Sequence, residues 1–476
     1  MKKHEQNLTF EKLKNFMMKQ LLILLLLAVS IVGCKNEPKI DYALFSGKIE
    51  HANADKLTIK GAGFDKEVKI NPDGTFADTL KLSRSGFYSL NVGREFTMLY
   101  LKNGYDLKMN LDAQSFDETI IYTGKGETEN NYLAAKSLKN ENSKADPVAF
   151  YGKEEQAYKA EIENIHKRNA EILNSLSNPD KDFVASEQKN LDYDKYLGFK
   201  HLRISPCVLL QTTHFKVSDT FLPKELKDMK YDDADAYTNS SSYKQLAYGK
   251  TLDAIFETIG DDYNNATVDD FKAINDIKIP ALKDDVFSYL GKFMVSPSNP
   301  NMESIHGYLV SNTSNDETKK NINETYEKNK NLVKGMPSPQ FVNYENHKGG
   351  KTSLADLKGK YVYIDVWATW CGPCKREIPF LKEVEKKYHG KNIEFVSTSI
   401  DVAKDHDTWV EMVKNEQLGG VQLMADNNWK SKFVTDYAIE GIPRFILIDP
   451  NGNIVDADAP RPSDPKLIKL FNALNI

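Results

Sequence analysis

At 476 residues the chain is long enough for about three domains of ordinary size rather than one enlarged core. Its 63 Lys and Arg against 68 Asp and Glu give a net charge of −5, and the body after residue 33, with five Lys and two Glu fewer, stands at 58 against 66, or −8. Such a balance excludes nucleic acid and anionic headgroups as electrostatic partners, and four cysteines in unlike settings (Cys34, Cys207, and Cys371 with Cys374) exclude a disulfide-stapled framework.

The first element in chain order is an address. Lys19 precedes an unbroken apolar run, Leu21–Val29, followed by small residues up to Cys34. Nine apolar residues suit a signal-peptide core and fall short of the roughly 20 needed to span a bilayer. A buried hydrophobic helix is the other reading, but the run is apolar on every side rather than along one face. Ile31-Val32-Gly33-Cys34 resembles the bacterial lipobox. That resemblance implies a signal peptide over residues 1–33, lipidation of Cys34, a lipidated tether over 34–42, and an exported lipoprotein of the cell envelope held by its lipid anchor. Several acyl chains hold a protein firmly where one does not. Residues 1–16 are long and mixed in charge for an n-region, so Met17 or Met18 is the expected start.

From about Ala43 to Tyr122 short alternating runs ("FSGKIE", "KLTIKG", "GFYSLNVG", "YDLKMNLD") are separated by turn signals such as Asn71-Pro72-Asp73-Gly74. They predict a small antiparallel β-sandwich-like domain over 43–127. Between about Thr128 and Lys334 the period becomes helical. In "KEEQAYKAEIENIHKRNAEILNSL" the residues Tyr158, Ile162, Ile165, Ile172 and Leu176 fall on one face. A mostly α-helical domain and linker is therefore expected over 128–334. The polar stretch after Asn321, ending in Gly335-Met336-Pro337-Ser338-Pro339, reads as a boundary.

Strand and helix then alternate: strand Tyr361–Trp367, helix Lys375–Tyr388, strand Ile393–Ser399, helix Thr408–Glu416, strand Arg444–Ile448 turning at Asp449-Pro450-Asn451-Gly452 into strand Asn453–Val455, and helix Pro465–Ala473. Between the first strand and helix stands "DVWATWCGPCK", Asp365 to Lys375. A structural zinc site needs four ligands, and with Cys34 lipidated only Cys207 is left to join this pair, so no metal is expected. A c-type haem site needs His after the second Cys, where Lys375 stands. Redox exchange remains. Gly372-Pro373 lets Cys371 sit at a helix N-terminus with Cys374 in its first turn, where free amides and the helix dipole lower a thiol's pKa. Cys371 is then the expected exposed attacking sulfur and Cys374 the resolving one.

These residues resemble the thioredoxin fold, and more closely its exported TlpA/ResA-type members, over 335–476. Trp370-Cys371-Gly372-Pro373-Cys374-Lys375 matches the active-site motif, Pro379 falls where the family kinks its helix, and Gly441-Ile442-Pro443 matches the cis-proline loop. The fold this implies is an α/β thioredoxin-like domain at the C-terminus, behind the sheet and helical regions. It also implies a membrane-anchored thiol:disulfide oxidoreductase with no cofactor beyond its own redox-active disulfide. Trp370, Gly372, Pro373 and Lys375 would shape the site, and Ile442 with Pro443 would present an exported client carrying cysteines. Asp365 stands where thioredoxin has a buried acid that takes the resolving cysteine's proton; many anchored relatives have another residue there. The Gly-Pro dipeptide is shared with thioredoxin, whose potential is about −270 mV, against about −120 mV for the oxidant DsbA. It therefore leans toward reduction of clients, which requires a membrane electron donor.

Three rival readings are weighed against this one. A binding lipoprotein using the fold only as a scaffold has no need of an oxidisable dithiol. A thiol peroxidase would place Thr or Ser three residues before its cysteine, where Ala368 stands; Thr369 is one position off. A hydrogen-bonded strand acid with no catalytic part is the bland reading of Asp365. Cys207, among apolar residues, reads as an inert buried thiol, and Asp232, Asp233 and Asp235 as a solvated turn without calcium-loop spacing.

Overall fold

The computed structural model describes residues 40–61, 63–202, 218, 220–260 and 263–476. The expected signal peptide, the lipidation site Cys34 and the isolated Cys207 lie outside the described residues. The chain divides into two compact units between Leu191 and Asp192.

In the first unit the alternating runs form strands β1 (Ala43–Glu50), β2 (Lys56–Gly61), β3 (Phe64–Lys69), β4 (Thr75–Leu80), β5 (Gly86–Val92), β6 (Glu95–Leu101), β7 (Asp106–Asp112) and β8 (Ile121–Lys125). They make two four-stranded sheets, ordered β4-β1-β7-β8 and β3-β2-β5-β6. Phe45, Phe76, Leu107 and Met109 of one sheet share a single apolar core with Leu57, Ile59, Leu90 and Leu99 of the other. One pairing departs from the antiparallel pattern. β1 and β7 run parallel, from Leu44 opposite Asp106 to Glu50 opposite Asp112, because the intervening strands return the chain to the end where it started.

The helical domain expected over 128–334 does not form one body. Helices Glu127–Asn142 and Glu155–Asn174, with the start of Lys181–His201, bury Tyr132, Leu133, Leu173 and Phe183 in the core of the sheets. Helical periodicity shows that an apolar face exists without saying what covers it. The buried stripe of Glu155–Asn174 is also shifted, to Tyr158, Ile162, Asn169 and Leu173, while Ile165 and Ile172 are half-buried. Asn169 earns its buried place by donating to Asn140 Oδ1 at 3.0 Å.

In the second unit helices Ser241–Ile259, Pro280–Phe293, Met302–Asn312 and Asp316–Asn329 converge on a core that includes Ile255, Phe287, Leu290, Ile305 and Ile322. The polar stretch expected to be a boundary is partly helix: Asp316–Asn329 buries Thr318 and Ile322. After it, Leu332 packs into the C-terminal core, and the segment is tied to the sheet by Gly335 N donating to Ile454 O at 2.7 Å and Ile454 N to Met336 O at 2.8 Å.

That sheet contains β9 (Tyr344–Asn346), β10 (Lys351–Thr352), β11 (Tyr361–Trp367), β12 (Ile393–Ser399), β13 (Val421–Met424), β14 (Arg444–Ile448) and β15 (Ile454–Asp456), in the order β10-β9-β13-β12-β11-β14-β15. β11 is flanked by a parallel β12 and an antiparallel β14. It is covered on both faces, which is why its sequence is a nearly continuous apolar run. Val362, Ile364 and Val366 enter one core and Tyr363 the other, so alternation puts Asp365 on the Tyr363 face. Leu381 and Val384 of helix Gly372–Lys387 pack into that same core. This is the α/β thioredoxin-like architecture.

Candidate active site

The chain leaves β11 at Trp367 and reaches the cysteines through Ala368, Thr369 and Trp370. Asp401, 1% exposed, fixes that connection. Its carboxylate accepts from Thr369 N at 2.9 Å, Thr369 Oγ1 at 2.8 Å and Ser399 Oγ at 2.7 Å. Thr369, the residue nearest a peroxidase pattern, thus has its hydroxyl occupied by a structural bond. Cys371 N then donates to Ala368 O at 3.0 Å, closing a turn.

Helix Gly372–Lys387 starts earlier than the expected Lys375, because glycine and proline are tolerated in a first turn whose amides lack intrahelical acceptors. Cys371 is its N-cap, and Cys374 N donates to Cys371 Sγ at 3.1 Å. The two sulfurs form a disulfide with Cα atoms 5.3 Å apart. The expectation of an exposed Cys371 is corrected here. Cys371 and Cys374 are 4% and 3% exposed and belong to the apolar core on one side of the sheet. Bonding to Cys374 turns the sulfur into the first helical turn. What faces solvent is the surround: Trp370 is 55% exposed, with its ring 6.5 Å from that of Trp429, and Pro373 and Lys375 are exposed.

The Ile442–Pro443 peptide is cis. Ile442 packs against the core that contains both cysteines, and its backbone makes no hydrogen bond among the described residues. The loop is therefore joined to the cysteine site by packing while leaving a backbone edge available.

Behind the cysteines, Asp365 lies opposite Ser397 on β12 and Phe445 on β14. It is 8% exposed. Burial pushes its carboxyl up to about 8, with the Glu377 and Glu385 carboxylates adding to the rise and a hydrogen bond from Ser397 opposing it. Glu385 is likewise pushed up to about 7 by burial, with Lys382 opposing. Asp365, Lys382, Glu385, Ser397, Gly419 and Gln422 are among the residues lining one small cavity. Gln422 donates through Nε2 to Gly419 O at 2.7 Å, while its Oε1 is buried without a hydrogen-bond partner among the described residues. A protonated carboxyl is the kind of donor that such an acceptor lacks.

Sequence reading missed Glu377, Glu385, Asp401 and Gly419. Glu377 follows Cys374 by three residues, and its carboxylate is held by Ser463 N at 3.0 Å and Ser463 Oγ at 2.9 Å. The one signal that could have found the two glutamates is their place on the helix opened by the cysteines, one turn and roughly three turns along. Among the described residues there is no cluster of three or more His, Cys, Asp or Glu able to hold a metal.

Residues 333–471 match the Redoxin family model. Over 122 residues the chain is 32% identical to the thiol-disulfide oxidoreductase ResA of Bacillus thuringiensis (strain Al Hakam), a match covering 26% of this chain and 67% of that protein. The chain belongs to the thiol-disulfide oxidoreductase family. ResA of Bacillus subtilis (strain 168) is 27% identical over 133 residues, 28% of this chain and 71% of that one. Among solved structures, a candidate thiol-disulfide oxidoreductase from Bacteroides vulgatus is 52% identical, covering 30% of this chain and 92% of the other at a TM-score of 0.27. This oxidoreductase family match is confined to the C-terminal third, where the disulfide and Asp365 lie.

Proposed function

We propose that the protein is an exported, lipid-anchored reductase of client disulfides, working through Cys371 and Cys374. The observation that carries the reading is a disulfide capping a helix N-terminus, with a buried carboxyl of raised pKa on the strand beneath that helix. In the reduced enzyme the Cys371 thiolate attacks one sulfur of a client disulfide. A mixed disulfide forms and the client's other sulfur leaves as a thiolate. Where the Asp365 carboxyl is ionised it takes the proton of Cys374, whose thiolate attacks Cys371 Sγ. The client's second thiolate is released and the Cys371–Cys374 disulfide remains. Two electrons pass to the client, and a membrane dithiol donor returns them.

Asp365 suits the proton step because its pKa of about 8 lies close to the roughly 8.5 of an ordinary thiol. Transfer between them is near thermoneutral, whereas a carboxylate near 4 would be a poor acceptor. Trp370, Gly372, Pro373 and Lys375 shape the approach, and Ile442 beside Pro443 offers its backbone to an extended client strand. Export and anchoring rest on the leader and on Cys34 in the sequence.

The test is a pair of variants. Cys371→Ser abolishes client reduction, whereas Cys374→Ser accumulates a mixed disulfide with the client on Cys371. If turnover survives both changes, the reading is wrong.

A further inference from the structure

The groove that contains the cis-proline loop has a second wall, made by the helical region ahead of the catalytic sheet. Gly441, Ile442 and Pro443 line it together with Phe293 and Lys292 from the end of helix Pro280–Phe293. Phe293 is 51% exposed, which is unusual for so large an apolar side chain. Its ring therefore gives the groove an apolar floor beside Ile442 and Pro443.

The rim is unbalanced in charge. Lys328 is neutralised by Glu440 at 2.9 Å and Arg444 by Asp458 at 3.2 Å. Two further cations, Lys292 on the helical wall and Arg461 on the catalytic wall, line the same groove and form no ion pair among the described residues. Four cations, Lys292, Lys328, Arg444 and Arg461, thus face two carboxylates, Glu440 and Asp458, in the groove of a chain whose overall charge is −5. Opposite charges across an interface govern selection and on-rate more than bulk affinity.

We propose that the helical region is part of the client site, and that the groove selects extended client segments carrying Asp or Glu beside the cysteine to be reduced. The inference rests on the reductase reading, since the client strand is taken to pair along Ile442. It gives the helices a role in choosing clients rather than in spacing the catalytic domain.

The test uses the full chain and three disulfide-linked peptides of equal length, whose cysteines are flanked by Asp and Glu, by Ser and Asn, or by Lys. The expected ratio of kcat/KM for the acidic over the lysine-flanked peptide is about tenfold at low salt and shrinks toward one as salt screens the groove. In Lys292→Glu/Arg461→Glu the ratio inverts. A ratio reads selection independently of any general loss of active protein, and the salt series needs no variant. Hydroxyethyl disulfide, small and uncharged, reads the chemistry alone. If the unaltered protein reduces it but treats all three peptides alike at every salt concentration, the groove proposal fails by itself. If the protein does not reduce it at all, the reductase reading fails and takes the proposal with it.

Discussion

Asp365 on strand β11 and Glu385 on the helix opened by the cysteines line the same cavity, where burial raises both carboxyls and the Glu385 charge adds to the rise at Asp365. A carboxyl raised this far exists in both its protonated and ionised forms near neutral pH, so it can take a proton and return it. Neither cysteine is among the residues that line the cavity.

The first prediction concerns pH and stability. Asp365 keeps its proton in the folded state up to about pH 8 and loses it near 4 when unfolded. Its contribution is therefore fully present below about pH 4 and lost as pH rises through about 8. All four tryptophans, Trp367, Trp370, Trp409 and Trp429, lie in the C-terminal region, so urea unfolding followed by their fluorescence reports this region. Asp365→Asn flattens the decline between pH 5 and 8 and raises stability at pH 8 by on the order of 3 kcal/mol. Parallel curves for the two proteins contradict the assignment.

Glu385→Gln removes one of the charges that elevate Asp365. The pH midpoint for resolution of a mixed disulfide by Cys374 then falls by roughly half a unit to one unit. The midpoint is read from rapid-quench resolution rates across pH 5 to 10. An unmoved midpoint means that the two carboxyls do not communicate.

Gly419→Ala tests how tightly Glu385 is seated. A Cβ there would lie 2.2 Å from Glu385 Oε2, so the carboxylate must swing away from the cavity. The expected result is the same downward shift of midpoint, with a loss of about 1 kcal/mol in stability. Stability loss with an unchanged midpoint separates mere crowding from the electrostatic link.

Asp401→Ala removes the acceptor of three buried hydrogen bonds from Thr369 and Ser399. Leaving those donors unpaired costs about 2–3 kcal/mol. Because the freed loop carries Trp370 and Cys371, client turnover drops as well, whereas Thr369→Val, which removes one of the three, costs about 1 kcal/mol. Urea midpoints and insulin reduction rates on the same samples provide both readouts.

The disulfide pair, the strand that delivers it and the Gly441-Ile442-Pro443 loop were legible in the sequence, because each is a local pattern: two thiols three positions apart, an apolar run, a proline at fixed spacing. The acid in β11 was legible for a related reason, since a charge inside an apolar run must be buried. Glu385, Asp401 and Gly419 were not. Each matters through a contact made by folding, between a helix and a strand or between two loops, and each looks like an ordinary surface residue in one dimension. The same limit misplaced helices Glu127–Asn142 and Glu155–Asn174, whose apolar faces were visible but whose partner was the sheet core. The burial of Cys371 was likewise hidden, because a cysteine's sequence neighbours do not reveal which way its sulfur turns once the disulfide closes.

The central claim is that electrons leave the protein toward its clients. The equilibrium reduction potential of the Cys371–Cys374 pair, measured against glutathione or dithiothreitol in protein without its first 34 residues, tests it most directly. A potential near thioredoxin's, about −270 mV, is the predicted result and makes the pair a reductant. A potential near DsbA's, about −120 mV, would contradict the account and make the protein a disulfide donor.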